Sequence, residues 1–449
     1  MARAKKEAAL TPEERLQAAL VPDWEWPYKL PGNWCWTYLT KAAECLDNFR
    51  KPINATERAG RNGNIPYYGA TGQVGWIDDF LTDEDLVLLG EDGAPFLDLI
   101  KDKAYLITGK AWVNNHAHIL RSLFGDTGNR YLLHYLNSFN YAGYVNGTTR
   151  LKLTRASMDT IPIPLPPLAE QQRIVDRIES LFAKLDEAKE KAQAVVDSFE
   201  TRKAAILHKA FTGELTAKWR EEHGVRMESW EKKRLSDVVT EFKYGTSEKS
   251  DYNNKGIPVL RIPNIGDNGI DLSDIKYLNH RNVDSESQIH EGDILIIRSN
   301  GSRDLVGKAV LVPELGCEYA YASFLIRAKP NHSIINAHYL TIFLNSTDAR
   351  GQMFRRAKSS AGINNINTKE LGAISLTVPS LPEQDEIVHI INEMMDKDQQ
   401  SKEAAEAVLD QIDLMKKSIL ARAFRGELGT NDPSEESAVE LLKKIIRRG

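Results

Sequence analysis

"LPPLAEQQRIVDRI" (residues 165–178) and "VPSLPEQDEIVHII" (residues 378–391) carry the same punctuation and the same apolar rhythm within one chain of 449 residues. Set side by side without a gap, residues 165–215 and 378–428 are identical at twenty-two of fifty-one positions. The shared positions include Glu170-Gln171 against Glu383-Gln384, and the closing "FTGEL" (211–215) against "FRGEL" (424–428). A register held over that length marks an internal duplication.

Spacing gives these stretches their form. Ile174, Ile178, Leu181, Leu185, Ala188, Ala192, Val195 and Phe199 alternate at steps of four and three, a heptad seam that skips Arg202 and resumes at Ile206. In the second copy the seam reads Ile387, Ile391, Met394, Asp398, Ser401, Ala405, Val408, Ile412, Met415 and Ile419, with Asp398 and Ser401 interrupting it. Pro166, Pro167, Pro379 and Pro382 stand where a helix begins, and Gly213 and Gly426 where one stops. A helix over Leu168–Ala210 would run about 64 Å at ~1.5 Å per residue.

Composition sets the outer limits. The chain is too long for one core, so two to four domains are expected. It is 42% hydrophobic and 27% charged with a net charge of −5, so no global basicity advertises nucleic acid, although a local basic face fits within such a total. Cys35, Cys45 and Cys317 are isolated, which suits buried thiols in a reducing cytoplasm. No apolar run reaches bilayer length and no signal-peptide core opens the chain, so the expectation is a soluble cytoplasmic protein with no membrane partner.

Between the helices lies a looser repeat. "DLVLLGEDG" (85–93) answers "DILIIRSNG" (293–301), "HAHILR" (116–121) answers "ASFLIR" (322–327), and "YLLHYLNS" (131–138) answers "YLTIFLNS" (339–346). Brief matched blocks with unlike stretches between them are the pattern of one scaffold carrying different loops. The expected fold class is therefore α+β, with two homologous globular domains joined by two long antiparallel helices in a pseudo-two-fold repeat. A domain of that size has a radius of gyration of ~15 Å, too small to return the chain along the first helix. The second helix must therefore start near where the first ended.

Two related but non-identical heads suit a target with two unlike halves, and duplex DNA offers one. In the first head the candidates for DNA contact are Tyr67, Tyr68, Thr71 and Gln73 in "YYGATGQVG", then Asn146, Thr148 and Arg150 in "YVNGTTRLK". In the second they are Arg261 and Asn264 in "RIPNIG", Arg298, Asn300 and Arg303 in "RSNGSR", and Arg355, Arg356 and Lys358 in a run without an acid. Arg and Lys neutralise phosphates, while Arg, Asn and Ser reach base edges.

Catalytic signatures are missing. The nearest approach to a phosphate-binding loop, "GSRDLVGKA" (301–309), has the wrong spacing, and no glycine-rich dinucleotide loop, zinc constellation, nuclease signature or amino-methyltransferase motif is present. His116 and His118 alternate like strand residues and are expected to pack rather than to hold a metal.

Together, "PLPPLAEQQRIV", "AILHKAFTGEL", their second copies, and "DPSEESAVELLKKI" (432–445) resemble the specificity subunit of type I restriction–modification enzymes. The resemblance implies target-recognition domains at 33–164 and 228–377. It places long spacer helix 1 and a connector at 165–227 and long spacer helix 2 with a C-terminal tail at 378–449, while the leader at 1–32 departs from the minimal family pattern. It implies a non-catalytic protein that reads an asymmetric bipartite site on double-stranded DNA. The partners implied are two modification (methyltransferase) subunits bringing S-adenosylmethionine, and restriction/translocase subunits using ATP and Mg; no cofactor falls to this chain. Glu170, Gln171, Arg173, Arg177, Glu383 and Gln384 are the candidates for docking those subunits. The leader's "TPEERLQAALVPDWEW" predicts a capped helix packed against the far end of the second long helix. The competing readings are a coiled-coil scaffold whose heads bind proteins or sugars, without DNA, and a single-chain nuclease.

Overall fold

The computed structural model describes residues 11–253, 256–267, 269–279, 288–360 and 362–447. The chain packs as two compact units, Met1–Gln193 with Glu406–Gly449, and Ala194–Ala405. The helices that organise them are α1 (Pro12–Ala19), α2 (Gly125–Ser138), α3 (Leu168–Asp197), α4 (Phe199–Phe211), α5 (Ala337–Leu344), α6 (Leu381–Phe424) and α7 (Ala438–Ile446).

In the first unit an antiparallel sheet runs Ala43–Cys45, Ala117–Ser122, Leu86–Gly90, Ala104–Ile107 in spatial order. Leu88 sits between Ile119 and Tyr105 in register. A second sheet runs Gly72–Ile77, Ile65–Gly69, Lys110–Val113, Thr82–Asp83 and contains one parallel pairing, Tyr67 opposite Trp112. The second unit repeats both. Its antiparallel sheet runs Val239–Tyr244, Leu325–Pro330, Ile294–Ile297, Ala309–Leu311. Its second sheet runs Ser250–Asp251, Lys276–Leu278, Pro258–Leu260, Ala320–Tyr321, again with one parallel pairing.

The matched blocks of sequence are the parts that hold each scaffold together. The "LNS" shared by α2 and the end of α5 supplies Asn137 and Asn345. Asn137 accepts from the amides of Lys103 and Ala104 and donates to the Ala104 carbonyl. Asn345 does the same with both groups of Ala309. Each side-chain amide thus completes the edge of a central sheet whose backbone groups would otherwise lack partners.

Each core takes in the start of one long helix and the end of the other. Ile174, Ile178, Ala423 and Phe424 belong to the first unit's main cluster, and Leu207, Ala210, Ile387 and Ile391 to the second's. The repeated phenylalanine of "FTGEL" and "FRGEL" is the wedge. Phe424 meets the edges of Tyr131 and Tyr135 at 5.3 and 5.1 Å, and Phe211 meets Tyr339 and Phe343 at 5.4 and 5.2 Å. Tyr131 and Tyr339 also donate their hydroxyls to the carbonyls of Pro164 and Thr377.

Within each unit the helices pair antiparallel. In the first, Asp186 meets Lys416 at 2.5 Å and Lys189 meets Asp413 at 3.6 Å. In the second, Arg202 meets Asp398 at 2.6 Å and Phe199 lies under Lys402. The continuous helix expected over 168–210 is broken at Ser198. Its hydroxyl shares the Ala194 carbonyl with its own amide, and both that hydroxyl and Arg202 reach the Val195 carbonyl, so side chains compete for the acceptors of this turn. The first seam is buried or half-buried at every expected position, but beyond Ile391 the second is so only at alternate ones. On α6 the shielded positions are 391, 395, 398, 402, 405, 409, 412 and 416, while Met394, Ser401, Val408 and Met415 are exposed. Two consecutive steps of four, 387–391–395, shift every second seam position by one residue, while Asp398, Ala405 and Ile412 keep their expected places, Asp398 pinned by Arg202.

The leader forms α1 with a capping box between Thr11 and Glu14. Leu16 and Ala19 pack with Ala438 and Leu442 of α7, and Tyr28 donates its hydroxyl to the Phe424 carbonyl at the end of α6. Residues 1–10 of the leader lie outside the described residues. Among the described residues no helix is long and apolar enough to cross a membrane.

Candidate nucleic-acid interface

In each head the central strand of the antiparallel sheet runs out into a polar turn, and a hairpin from far along the chain closes on that turn. In the first head the turn is Glu91-Asp92-Gly93. The amide of Gly93 donates to the Leu151 carbonyl and that of Leu153 to the Glu91 carbonyl. These bonds seat the hairpin Val145–Leu153, whose tip residues Asn146, Thr148 and Arg150 are exposed. Gly147 turns it at φ 107°, a conformation suited to glycine. Gly93 is needed for a second reason: a Cβ there would meet Arg150 Nε at 3.3 Å.

The root of this hairpin is a network of charges. Glu91 pairs with Arg50 and, at 2.9 Å, with Lys152. Burial alone would push the Glu91 carboxyl up, but Arg50 and Lys152 hold it below its ordinary value. Asp92 takes Arg150 at 2.8 Å and His116 Nδ1 at 2.7 Å. Deeper in, His118 is 1% exposed, with Nδ1 2.6 Å from Asp47 and Nε2 3.0 Å from the Leu153 carbonyl. Burial opposes ionisation of Asp47, but the bond and charge of His118, the Ile119 amide and Arg50 together outweigh it and its pKa is lowered.

Cys45, Asp47 and His118 present donor atoms within 4.8 Å of one another, close enough to hold a metal ion. Both ring nitrogens of His118 are already engaged, and burial pushes the Cys45 thiol up to about 12, so the geometry is that of a buttress under the hairpin.

The 67–75 hairpin meets the same junction, for a Cβ on Gly90 would lie 3.0 Å from the Ala70 carbonyl. Thr71 and Gln73 are exposed at its tip and Tyr68 is half-buried against Tyr105. Tyr67 is not available for contact. It is 1% exposed, its ring is covered by Arg58, and its hydroxyl bonds the backbone of Ile53, so it serves the core. Trp76, 57% exposed, and the half-buried Arg58 are further groups there that the sequence did not single out. For Arg58 the signal was the acid-free "RAGRNGN" (58–64).

The second head builds the junction with opposite chemistry. Its turn is Arg298-Ser299-Asn300-Gly301, and Ser299–Asn300 pairs with Ile363–Asn365, which pairs in turn with Lys358–Ser360. Arg298, Asn300 and Lys358 are thereby brought together. The Arg298 guanidinium lies 4.4 Å from the centre of the Tyr244 ring, a further residue that the sequence did not single out. Arg303 and Arg350 flank Phe354 at 5.2 and 5.0 Å. Arg355 is exposed, whereas Arg356 is half-buried and donates to the Gln352 carbonyl.

"RIPNIG" does not join them as expected. Asn264 is 1% exposed and spends its amide on the backbone of Arg261, Asp271 and Asp274, while Arg261 is tied to Asp274 at 3.0 Å. The motif is a structural cap.

Most of the docking candidates are also corrected. Glu170, Gln171, Glu383 and Gln384 are 0% exposed. Glu383 accepts from Thr216, Arg220 and Trp230, and Gln384 accepts from the amide of Asn336. Glu170 accepts from Thr430 and Arg173, and Arg173 is committed to Glu435 in a two-bond pair at 2.8 Å. Of the six candidates, Arg177 stays exposed. In the second unit the pair ties α6 to the head through Trp230 and Asn336, and in the first Glu170 ties α3 to the C-terminal tail through Thr430.

The profile of the "Type I restriction modification DNA specificity domain" matches residues 46–196 and 227–409. The EcoKI specificity subunit of Escherichia coli K12 is 30% identical over 332 residues, covering 70% of this chain and 70% of its own length. The StySPI specificity subunit of Salmonella potsdam is 28% identical over 335 residues, again with 70% of each chain covered. Among solved structures, the HsdS subunit from Thermoanaerobacter tengcongensis superposes with a TM-score of 0.58 at 19% identity, over 90% of this chain and 100% of that one. A structure bearing on "complex assembly" and "conformational transition of the type I R-M system" gives 0.62 at the same identity and coverage. With two matched regions, one on each head, the chain belongs to the specificity subunits of type I restriction–modification enzymes.

Proposed function

We propose that this non-catalytic subunit reads an asymmetric, bipartite site on double-stranded DNA, the head at 33–164 taking one half and the head at 228–377 the other. The observation that carries this reading is the junction of central strand, turn and hairpin. It is built by the same backbone pairing in both heads, yet it presents Glu91-Asp92 in one and Arg298-Ser299-Asn300 in the other. One scaffold with unlike chemistry at one place is what two different half-sites require. Thr71, Gln73, Asn146, Thr148 and Arg150 are the proposed contacts of the first head. Arg298, Asn300, Arg303, Arg355, Arg356 and Lys358 are those of the second.

The long helices set the spacing and dock two modification subunits, which bring S-adenosylmethionine; restriction subunits add ATP- and Mg-dependent steps in the cytoplasm. With the Glu-Gln pairs buried, the docking candidates become Arg177, Val408, Leu414 and Met415 on the first unit and, separately, Met394 on the second. Fluorescence anisotropy of the assembled complex on duplex DNA, as a function of salt, tests the reading. Affinity that falls steeply and linearly in log–log form supports it; affinity indifferent to salt would support a protein-binding scaffold instead.

A further inference from the structure

The two heads carry opposite charge at equivalent turns, and only the first pairs its exposed hairpin arginine with an acid on the turn. Arg150 stands next to the exposed tip of the Val145–Leu153 hairpin, with its side chain 61% exposed. Its guanidinium reaches back 2.8 Å to Asp92 Oδ1, the oxygen that also takes His116 at 2.7 Å. The neighbouring acid is differently placed. Glu91 is held by Arg50 and Lys152 and fixes the root of the hairpin, whereas the partners of Asp92 are the two exposed groups. In the second head the turn has no acid, and Lys358 of the corresponding hairpin lies 3.8 Å from Glu370, on a short helix outside the turn.

We infer that Asp92 is a specificity-determining residue of the first head, one that holds Arg150 back from the phosphates of unmatched DNA. The inference rests on the proposed reading of DNA by the heads. An ion pair as exposed as this one is weak, so a duplex that seats the hairpin correctly can exchange Asp92 for its own phosphate or base edge. A duplex that does not fit meets an arginine already neutralised and a carboxylate facing its backbone. That is discrimination by a built-in repulsion, since the acid costs every sequence the same and only the matched one restores the contact. The second head, with Arg298 and no such acid on its turn, meets its half-site without that restraint.

The test uses the full chain in its complex and a labelled duplex of random sequence, so the recognised site need not be known. Asp92→Asn keeps the side chain's shape, and Asp92→Ser is a second variant in case the first perturbs the turn. Freeing Arg150 for one phosphate steepens the slope of log affinity against log salt by about 0.9, equivalent to roughly threefold tighter binding over a fourfold range of salt. Adding Arg150→Ala to either variant returns the slope to the wild-type value. An unchanged slope in both single variants overturns the inference. So does a gain that persists in the double variants, because it would then come from the lost carboxylate acting at a distance. Salt-indifferent binding by the wild type would sink the proposed function and this inference with it. Steep wild-type binding with unresponsive variants sinks this inference alone.

Discussion

A carboxylate shut away from water is costly unless donors surround it, and Glu383 shows how that cost becomes a lock. Its two oxygens take Thr216, Arg220 and Trp230, which come from the connector after α4 and the opening of the second head. Glu383→Ala leaves Arg220, 9% exposed, without its charge partner and is expected to cost about 3 kcal/mol or more in urea unfolding. A loss below 1 kcal/mol would show that the pair is incidental. His134 gives a pH-dependent counterpart. Burial pulls its pKa from 6.5 down to about 4, beside the edge of Phe182. A depressed base binds its proton later in the folded than in the unfolded state. The stability it contributes is therefore whole above 6.5 and is lost as pH falls from 6.5 toward 4, by about 3 kcal/mol. His134→Phe flattens unfolding free energy across that window; an unchanged slope contradicts the assignment. Repetition in the sequence made Glu170, Gln171, Glu383 and Gln384 conspicuous, but repetition reports constraint and not exposure. The same limit applies to Asn264, whose side chain is consumed by a backbone turn that composition does not reveal.

At the scale of elements, the helices were the most legible part and α6 shows where legibility ended. A seam of steps of four and three is fixed by its starting phase. The phase of α6 changes after Ile391, where the helix leaves the head's core cluster. Met394, Val408 and Met415 were assigned to the interior by the phase of Ile387 and Ile391, but they are 37%, 42% and 47% exposed. Replacing all three with serine is expected to change stability by under about 0.5 kcal/mol per site. The same change should sharply reduce recovery of the modification subunits with a tagged specificity subunit. Full recovery would move the docking face elsewhere. The break at Ser198 was not legible, because it depends on Arg202 turning back to the Val195 carbonyl while also meeting Asp398 across the pair.

For the whole chain, the duplicated blocks proved to be scaffold. They are the central strands, the Asn137 and Asn345 clamps and the Phe211 and Phe424 wedges, which recur because both heads solve the same packing problem. The proposed reading surface lies at the unlike polar ends of one matched block (91–93 and 298–301) and in the unmatched hairpins. Its parts were legible one by one, as Arg150 or Arg298, but not their assembly. The turn at 91–93 and the hairpin at 145–153 are far apart in the chain and are joined by backbone bonds that leave no trace in composition. The central claim is that each head reads its own half of the target. Exchanging residues 33–164 for the first head of another specificity subunit, then sequencing the modified bases of the host genome, tests it most directly. One half of the methylated motif should change and the other half should stay. A motif unchanged in both halves, or altered in both, would contradict the account.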